Sequence, residues 1–158
     1  MTAALQVLET GLNEALLKID GLANAPTHEL ADGIGRLVQE QTRRRIQEEK
    51  TSPAGEAWKP NSTGTAILFR SGTLAQSIDY IATQSEVQVG SGLVYARIHQ
   101  DGGQIVAKNA GALAFSIGGR FIQVKSVTMP KRKYLGLSTE NRDDVVDAAE
   151  AWVSRLLQ

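Results

Sequence analysis

The sequence predicts an α+β fold with two N-terminal helices, an antiparallel β-sheet built from hairpins, and a C-terminal helix. Near both ends of the chain, apolar residues recur at steps of three and four, which is the period of an amphipathic helix. In the middle, short alternating runs rich in β-branched residues flank turn residues such as Gly118-Gly119, which indicates hairpins. A chain of 158 residues fits one domain with its own hydrophobic core.

The expected organisation is one domain over residues 1–158, with a helical hairpin, a loop, a mainly β region and a final helix. These parts cover residues 1–50, 51–66, 67–130 and 138–158, respectively. Four strands are expected in two hairpins. They are residues 78–83 with 86–89, and residues 112–117 with 121–127.

The helices are placed by their apolar faces and caps. The first has an apolar face from Leu5 to Ile19, and the short linker after it predicts antiparallel packing on the second. Thr27 stands where the N-cap of the second helix is expected, and that helix runs to about Glu49. Ser138 is the expected cap of the last helix, and Trp152 lies in its apolar stripe and is predicted to be buried.

The stretch from Val89 to Gly103 marks the corner between these regions. A short apolar-faced helical segment over residues 93–100 is expected to pack on the sheet. Gly102-Gly103 then offers the conformational freedom for a turn into a long loop over residues 101–111.

Composition excludes several classes of protein. The 17 basic and 17 acidic residues balance, and the pI near 6.7 argues against a dedicated nucleic-acid binder. Without cysteine there are no disulfides, thiolate metal sites or cysteine nucleophiles. No apolar run is long enough to span a bilayer, and the acidic amphipathic start differs from a signal peptide, so we expect a soluble protein made in the cytoplasm.

Little in the sequence indicates chemistry. The two histidines, His28 and His99, have no metal-binding spacing, and neither Ser91 nor Ser116 lies in a nucleophile-elbow pattern that would pair with His99. Gly90-Ser91-Gly92 lacks the lysine of a phosphate-binding loop. An aromatic content of 5% is low for a small-molecule enzyme. We therefore expect no catalytic residues, no cofactor and no metal.

Two further features allow alternatives. Arg43, Arg44 and Arg45 spread over about 200° of a helix, near glutamates that can pair with them, so a solvated face is favoured over a contact to phosphates or to a partner's acids. Trp58 stands alone in a polar loop. An anchor on the core is favoured for it over a place in an interface.

Four separated stretches together resemble the phage virion morphogenesis family, the tail-completion proteins of Mu-like and related tailed phages. They are GEAWKP from Gly55, ILFRSGTLAQSI from Ile67, YARIHQ with Gly102-Gly103 from Tyr95, and MPKRKYLGLS from Met129. Lys131 and Lys133 depart from the alanine and proline that the family often has there, which puts the local loop path in doubt.

This resemblance implies a structural virion protein that resembles tail terminators, whose α+β subunits form a ring, expected to be a hexamer, on the finished tail tube. It implies contacts with itself, the tail tube protein and the head's connector or stopper at the head–tail junction, after assembly in the bacterial cytoplasm, without a membrane. A head-closure or connector protein, or an assembly factor absent from the particle, remains the alternative. The alternative from another functional class is a nucleic-acid-binding module that uses residues 43–45 and 131–133. Weak contact with DNA in the lumen of a ring is compatible with both the ring protein and the nucleic-acid-binding module.

The residues that carry the resemblance, or that are expected at subunit contacts, come from all of these stretches and from the arginine run. They are Arg43, Arg44, Arg45, Trp58, Pro60, Gly72, Leu74, Tyr95, His99, Gln100, Gly102, Gly103, Pro130, Arg132, Tyr134, Leu135 and Gly136.

Overall fold

The structure, a computed structural model, describes residues 16–109 and 111–158 and confirms the predicted α+β class. Helix α1 is the helical stretch over residues 16–23, and α2 (Thr27–Arg44) continues into a π-helical turn, Arg45–Glu49. The elements that follow are α3 (Thr73–Gln76), β1 (Ile78–Ala82), β2 (Val87–Ser91), α4 (Ala96–Asp101), β3 (Gly103–Val106), β4 (Leu113–Ile117), β5 (Arg120–Val124), β6 (Ser126–Met129) and α5 (Thr139–Leu156).

The helix termini confirm one predicted cap and correct the other. The Ser138 hydroxyl accepts a hydrogen bond from the Asn141 N–H at 3.1 Å and caps α5, as expected. The cap at Thr27 is wrong, because Thr27 is already the first residue of α2 and Pro26 takes the N-cap position without a side-chain bond. Most of the apolar face predicted for the first helix falls on residues outside the described ranges.

Helix α2 is the centre of the helical part of the fold. Its Gly35 lies against the ring of Tyr80 in β1, where a Cβ atom would stand 2.3 Å from Tyr80 Cδ2. Tyr80 completes this contact by donating its hydroxyl hydrogen to the Asp32 carboxylate at 2.9 Å. Helix α5 packs on α2 as well, where the Gln41 amide donates to the Asp144 carboxylate at 2.9 Å.

The strands form three two-stranded antiparallel sheets, where the sequence predicted one sheet. Strands β1 and β2 make the first expected hairpin, which extends to Ser91. The predicted strand over residues 121–127 is two strands, β5 and β6, separated at Lys125. The long loop expected after Gly102-Gly103 is wrong in part, because Gly103–Val106 is strand β3, which pairs with β6.

Strands β3 to β6 together form what we call the ribbon, residues 103–129. Strands β4 and β5 pair at its tip around Gly118-Gly119, and β3 and β6 pair at its base. The connection from β3 to β4 spans the residues between Val106 and Leu113, whereas β5 is connected to β6 through Lys125 alone. The Ala107 N–H bonds the Lys125 carbonyl at 3.1 Å and keeps the two halves joined.

The main hydrophobic core lies where the end of α2, the loop after it, α3 and α4 meet. Its buried members are Ile46, Trp58, Leu74, Ala75, Ile78, Ala96 and Tyr134. Trp58 is therefore a core anchor, as predicted, and Trp152 of α5 is buried as predicted. In the part of the chain that the structure describes, no helix combines the length and the apolar character needed to cross a membrane.

Candidate functional site

The signature stretches converge on residues Arg132–Gly136, which we call the strap. The strap has no helix or strand of its own, so its backbone groups must find partners elsewhere. Gln100 of α4 supplies three of these bonds. Its side-chain oxygen accepts from the N–H groups of Tyr134 and Leu135 at 2.9 Å each, and its amide donates to the Leu135 carbonyl at 3.3 Å.

Arg45 holds the strap from the side of α2. Its guanidinium donates to the carbonyls of Tyr134 at 3.0 Å and Gly136 at 2.8 Å, and to the Asn141 side chain at the start of α5. Arg45 is only 1% exposed, so the predicted solvated face is wrong at this position. Burial lowers the pKa of Arg45, a penalty on its charge that Glu49, with a carboxylate oxygen 3.8 Å away, partly offsets.

The loop after α2 contributes the third set of contacts. The Trp58 indole N–H donates to the Lys133 carbonyl at 3.1 Å. In the opposite direction, Arg132 of the strap donates from Nε and Nη2 to the Lys59 carbonyl at 2.9 and 2.8 Å. The Arg132 N–H bonds the His99 carbonyl at 2.9 Å, so α4, the loop and the strap form one network.

Tyr134 ties the strap to the core. Its ring is 1% exposed, and its hydroxyl donates to the Ala96 carbonyl at 3.0 Å. Burial, with a smaller effect of Asp101, raises the pKa of Tyr134 to about 12. The phenol is therefore neutral at physiological pH and acts as a hydrogen-bond donor.

Two glycines allow the chain segments of this network to approach closely. Gly102 has φ of 70°, and a Cβ there would stand 2.8 Å from the Lys131 backbone nitrogen. Gly136 has φ of 131°, and a Cβ there would stand 2.9 Å from Pro53 Cγ. Any other residue at either position meets both an unfavourable backbone conformation and a steric overlap.

His99 and Tyr95 lie at the edge of the network. Their rings meet edge-to-face with centroids 5.9 Å apart, and Tyr95 is 43% exposed. Burial and the nearby positive charge of Arg132 hold the pKa of His99 below its usual value. Its Nδ1 atom is buried without a hydrogen-bond partner among the described residues. The low pKa keeps the ring neutral at physiological pH, where it packs against Tyr95.

The remaining signature residues lie around this network. Arg43 and Arg44 pair with Glu40 and Glu49 at 2.9 Å each, as the pairing argument predicted, and Arg43 also donates to the Ile78 carbonyl at 3.0 Å. The others are Gly72, which holds the N-cap of α3 at φ of 75°, buried Leu74, exposed Pro60 and Gly103, and half-buried Pro130 and Leu135. The expected role of the whole set at subunit contacts stays a prediction.

Asn141 accepts a hydrogen bond from Arg45, and no sequence pattern predicted this contact. Asn141 is 2% exposed and joins α5 to the network, but an asparagine in the first turn of a helix is ordinary there. The contact between Arg45 and Asn141 could not be predicted from the sequence, because the two residues are distant in the chain and only the fold brings them together.

A wide open groove of about 1110 Å³ runs beside the network under the ribbon. Apolar side chains of the ribbon, such as Phe115 and Met129, line one wall, and the polar loop over residues 59–66 lines the other. The charged side chains that line it are all basic: Lys59, Arg70 and Arg132. Arg132 is already bonded to the Lys59 and Pro60 carbonyls.

The network thus joins GEAWKP, YARIHQ and MPKRKYLGLS, three of the four stretches on which the resemblance rested. In a comparison with models of known protein families, the sequence matches the phage virion morphogenesis family over residues 3–154. The chain belongs to the phage virion morphogenesis family. This match covers nearly the whole chain, including the ribbon and most of α5, and gives the protein a role in phage virion morphogenesis. Searches of curated proteins and of solved structures found no significant match.

Within this virion morphogenesis protein, the network acts as a structural junction. Its side chains bond backbone atoms of neighbouring segments and, at Asn141, a side chain, and the buried Arg45 guanidinium holds the strap to two helices. Such bonds fix the relative positions of α2, α4, α5 and the strap, because each removes a conformational freedom of a segment without regular structure.

Proposed function

We propose that this chain completes the phage tail as a subunit of a terminator ring at the head–tail junction. The ring, taken to be a hexamer, stops growth of the tail tube on one face and receives the head's connector or stopper on the other. Its partners are other copies of the chain, the tail tube protein and the connector, and it assembles in the bacterial cytoplasm without a membrane. Membership in the virion morphogenesis family supports the general role.

One observation carries the proposal beyond the family. The buried signature side chains that can form hydrogen bonds, Arg45, Trp58, Arg132 and Tyr134, all bond backbone atoms of the chain itself. They build a fixed body, and the ribbon, whose outer residues are exposed, extends from it. A fixed body with an extended strand element suits a subunit that pairs with neighbours in a closed ring. We assign no catalytic residue, cofactor or metal to it.

The experiment that tests the proposal is a phage in which the gene for this chain is interrupted. A terminator predicts tail tubes that grow past their normal length and fail to join heads, as seen by negative-stain microscopy. Tubes of normal length beside filled, unjoined heads would instead indicate head closure. Expression of the intact chain in the host during infection is the control and should restore normal particles.

A second experiment addresses nucleic acid. The rival interpretation used residues 43–45 and 131–133, but Arg45 and Arg132 are buried, and Arg43 and Arg44 pair with carboxylates. We therefore expect at most weak, salt-sensitive binding of duplex DNA, consistent with contact in a lumen. Tight binding that persists at physiological salt would contradict the ring proposal in favour of a DNA-binding module.

A further inference from the structure

The charges of this chain are separated along the sequence although they sum to zero. From Gly102 to Thr139 the chain contains no Asp or Glu. The basic residues in that segment are Lys108, Arg120, Lys125, Lys131, Arg132 and Lys133. Helix α5, which follows directly, has the opposite balance, with more acidic than basic residues. The ribbon and α5 are therefore surfaces of opposite sign.

The cations of the ribbon are available to a partner. Lys108, Arg120 and Lys125 are exposed, and in the described residues none of them forms an ion pair. Apolar side chains are exposed beside them: Val106 is 53% and Phe121 71% exposed. Exposed apolar groups beside unpaired charges of one sign give a surface that a partner of opposite charge can cover.

Helix α5 has a surface of matching character, which we call the acidic stripe. Glu140, Asp143, Asp147 and Glu150 are all exposed and recur at steps of three and four, so they share one face of the helix. In the part of the chain that the structure describes, none of the four forms an ion pair. Val146, 52% exposed, lies next to them and adds an apolar contact.

We propose that the ribbon of one copy packs on the acidic stripe of a second copy, and this inference rests on the proposed ring. No hydrogen bond or ion pair joins the ribbon to α5 within the described chain, so both surfaces are open to a neighbour. Because the ribbon and the acidic stripe are different surfaces, a head-to-tail contact uses the ribbon of one copy and the stripe of the next, and leaves one of each free for further copies. A two-fold dimer, in which each ribbon packs on the other copy's stripe, would leave neither surface free. The proposed ring therefore requires the head-to-tail form, which can close.

Charge reversal tests this contact on the full chain. The ribbon variant carries Lys108→Glu, Arg120→Glu and Lys125→Glu, and the stripe variant carries Asp143→Lys, Asp147→Lys and Glu150→Lys. All six positions are exposed, so circular dichroism should show both variants folded. By sedimentation velocity and native mass spectrometry, each variant alone should self-associate about tenfold or more weakly than the unchanged chain, because rim charges steer and hold such contacts.

The same variants provide the positive arm of the test. An equimolar mixture of the two should regain association, because the acidic ribbon of one then faces the basic stripe of the other and both contacts are again complementary. A chain with all six reversals should regain it alone. A matched control with Lys18→Glu, Arg36→Glu and Arg97→Glu has the net charge of the ribbon variant but changes residues outside the ribbon, and it should associate like the unchanged chain.

Three outcomes would overturn the inference, and they differ in what they say about the ring. Association of the unchanged chain that neither variant weakens would leave the ring standing with a different interface. Loss of duplex DNA binding by the ribbon variant, with association unaltered, would make a polyanion the ribbon's partner. A chain that stays monomeric at high concentration, with and without tail tubes, would remove the ring itself.

Discussion

The buried guanidinium of Arg45 allows a direct test of the junction, with its neighbour as a control. We compare Arg45→Met with Arg44→Met, because methionine keeps much of the side-chain length and volume and removes the charge and its hydrogen bonds. Both residues lie at the end of α2, but the Arg45 side chain is 1% exposed, whereas that of Arg44 is 45% exposed and bonds Glu49 alone.

The expected magnitudes follow from the contacts. Removing Arg45 leaves the Tyr134 carbonyl, the Asn141 side-chain oxygen and the more exposed Gly136 carbonyl without their donor, and each of the buried groups left unsatisfied costs about 1–3 kcal/mol. Part of this is returned, because the desolvation that lowers the pKa of Arg45 disappears with the charge. We therefore expect a loss in free energy of unfolding of about 3 kcal/mol, against about 0.5 kcal/mol for the exposed pair of Arg44.

The free energy of unfolding of both variants is measured by urea unfolding at a concentration where the chain is monomeric. Circular dichroism and tryptophan fluorescence follow the transition. Trp58 reports on the junction, because its indole bonds the strap. Arg45→Lys is an intermediate case, since an ammonium group lacks the planar fork that reaches several acceptors, and a loss of about 2 kcal/mol is expected. If the free energies of unfolding of Arg45→Met and Arg44→Met differ by less than about 0.5 kcal/mol, the junction does not hold the strap as described.

Two other substitutions test neighbouring features. Gly35→Ala should destabilise the chain by about 1–3 kcal/mol in urea unfolding, because the new Cβ would stand 2.3 Å from Tyr80 Cδ2. Gly33→Ala is the control in the same helix: its Cβ meets nothing within 4 Å, so this change should stabilise the chain by up to about 1 kcal/mol. Equal effects of the two substitutions on the free energy of unfolding would contradict this packing. Because burial and Arg132 hold the pKa of His99 low, the unfolded chain binds the proton first, so stability should fall as the pH drops below about 6.5. His99→Gln should reduce that slope in urea midpoints measured across the pH range, and an unchanged slope would assign it to other groups.

The elements that could be predicted from the sequence are those specified by local signals. Ser138 caps a helix by bonding a nearby N–H, Gly118-Gly119 supplies the turn of a hairpin, and both were placed correctly. Strand β3 was missed because nothing in its four residues requires a strand. Its conformation is set by β6, whose paired residues lie 20 to 26 positions further along the chain, so local propensity is overridden by pairing at a distance.

The candidate site divides in the same way. Trp58 was identified as an anchor because a large apolar side chain in a polar loop needs burial, whatever covers it. Arg45 was assigned to a solvated face because helical spacing gives the direction of a side chain but not what lies there. Three backbone and side-chain acceptors, all about ninety or more residues away, make its burial possible. No pattern within one helix contains that information.

The position of the junction explains how it can serve assembly without lying in an interface. The two strands at the base of the ribbon are both connected to it: β3 begins directly after Gly102, and β6 ends directly before Pro130 and the strap. Gly102 and Lys131 are packed closely enough that a single methyl group would separate them. The direction of the ribbon is therefore set by bonds that Gln100, Arg132 and Arg45 make with backbone atoms several residues away from any proposed contact.

A head-to-tail assembly closes only if each subunit presents its two surfaces at a fixed angle. Buried polar bonds at the base of the ribbon fix such an angle better than apolar packing would, because hydrogen bonds to specific atoms tolerate less sliding.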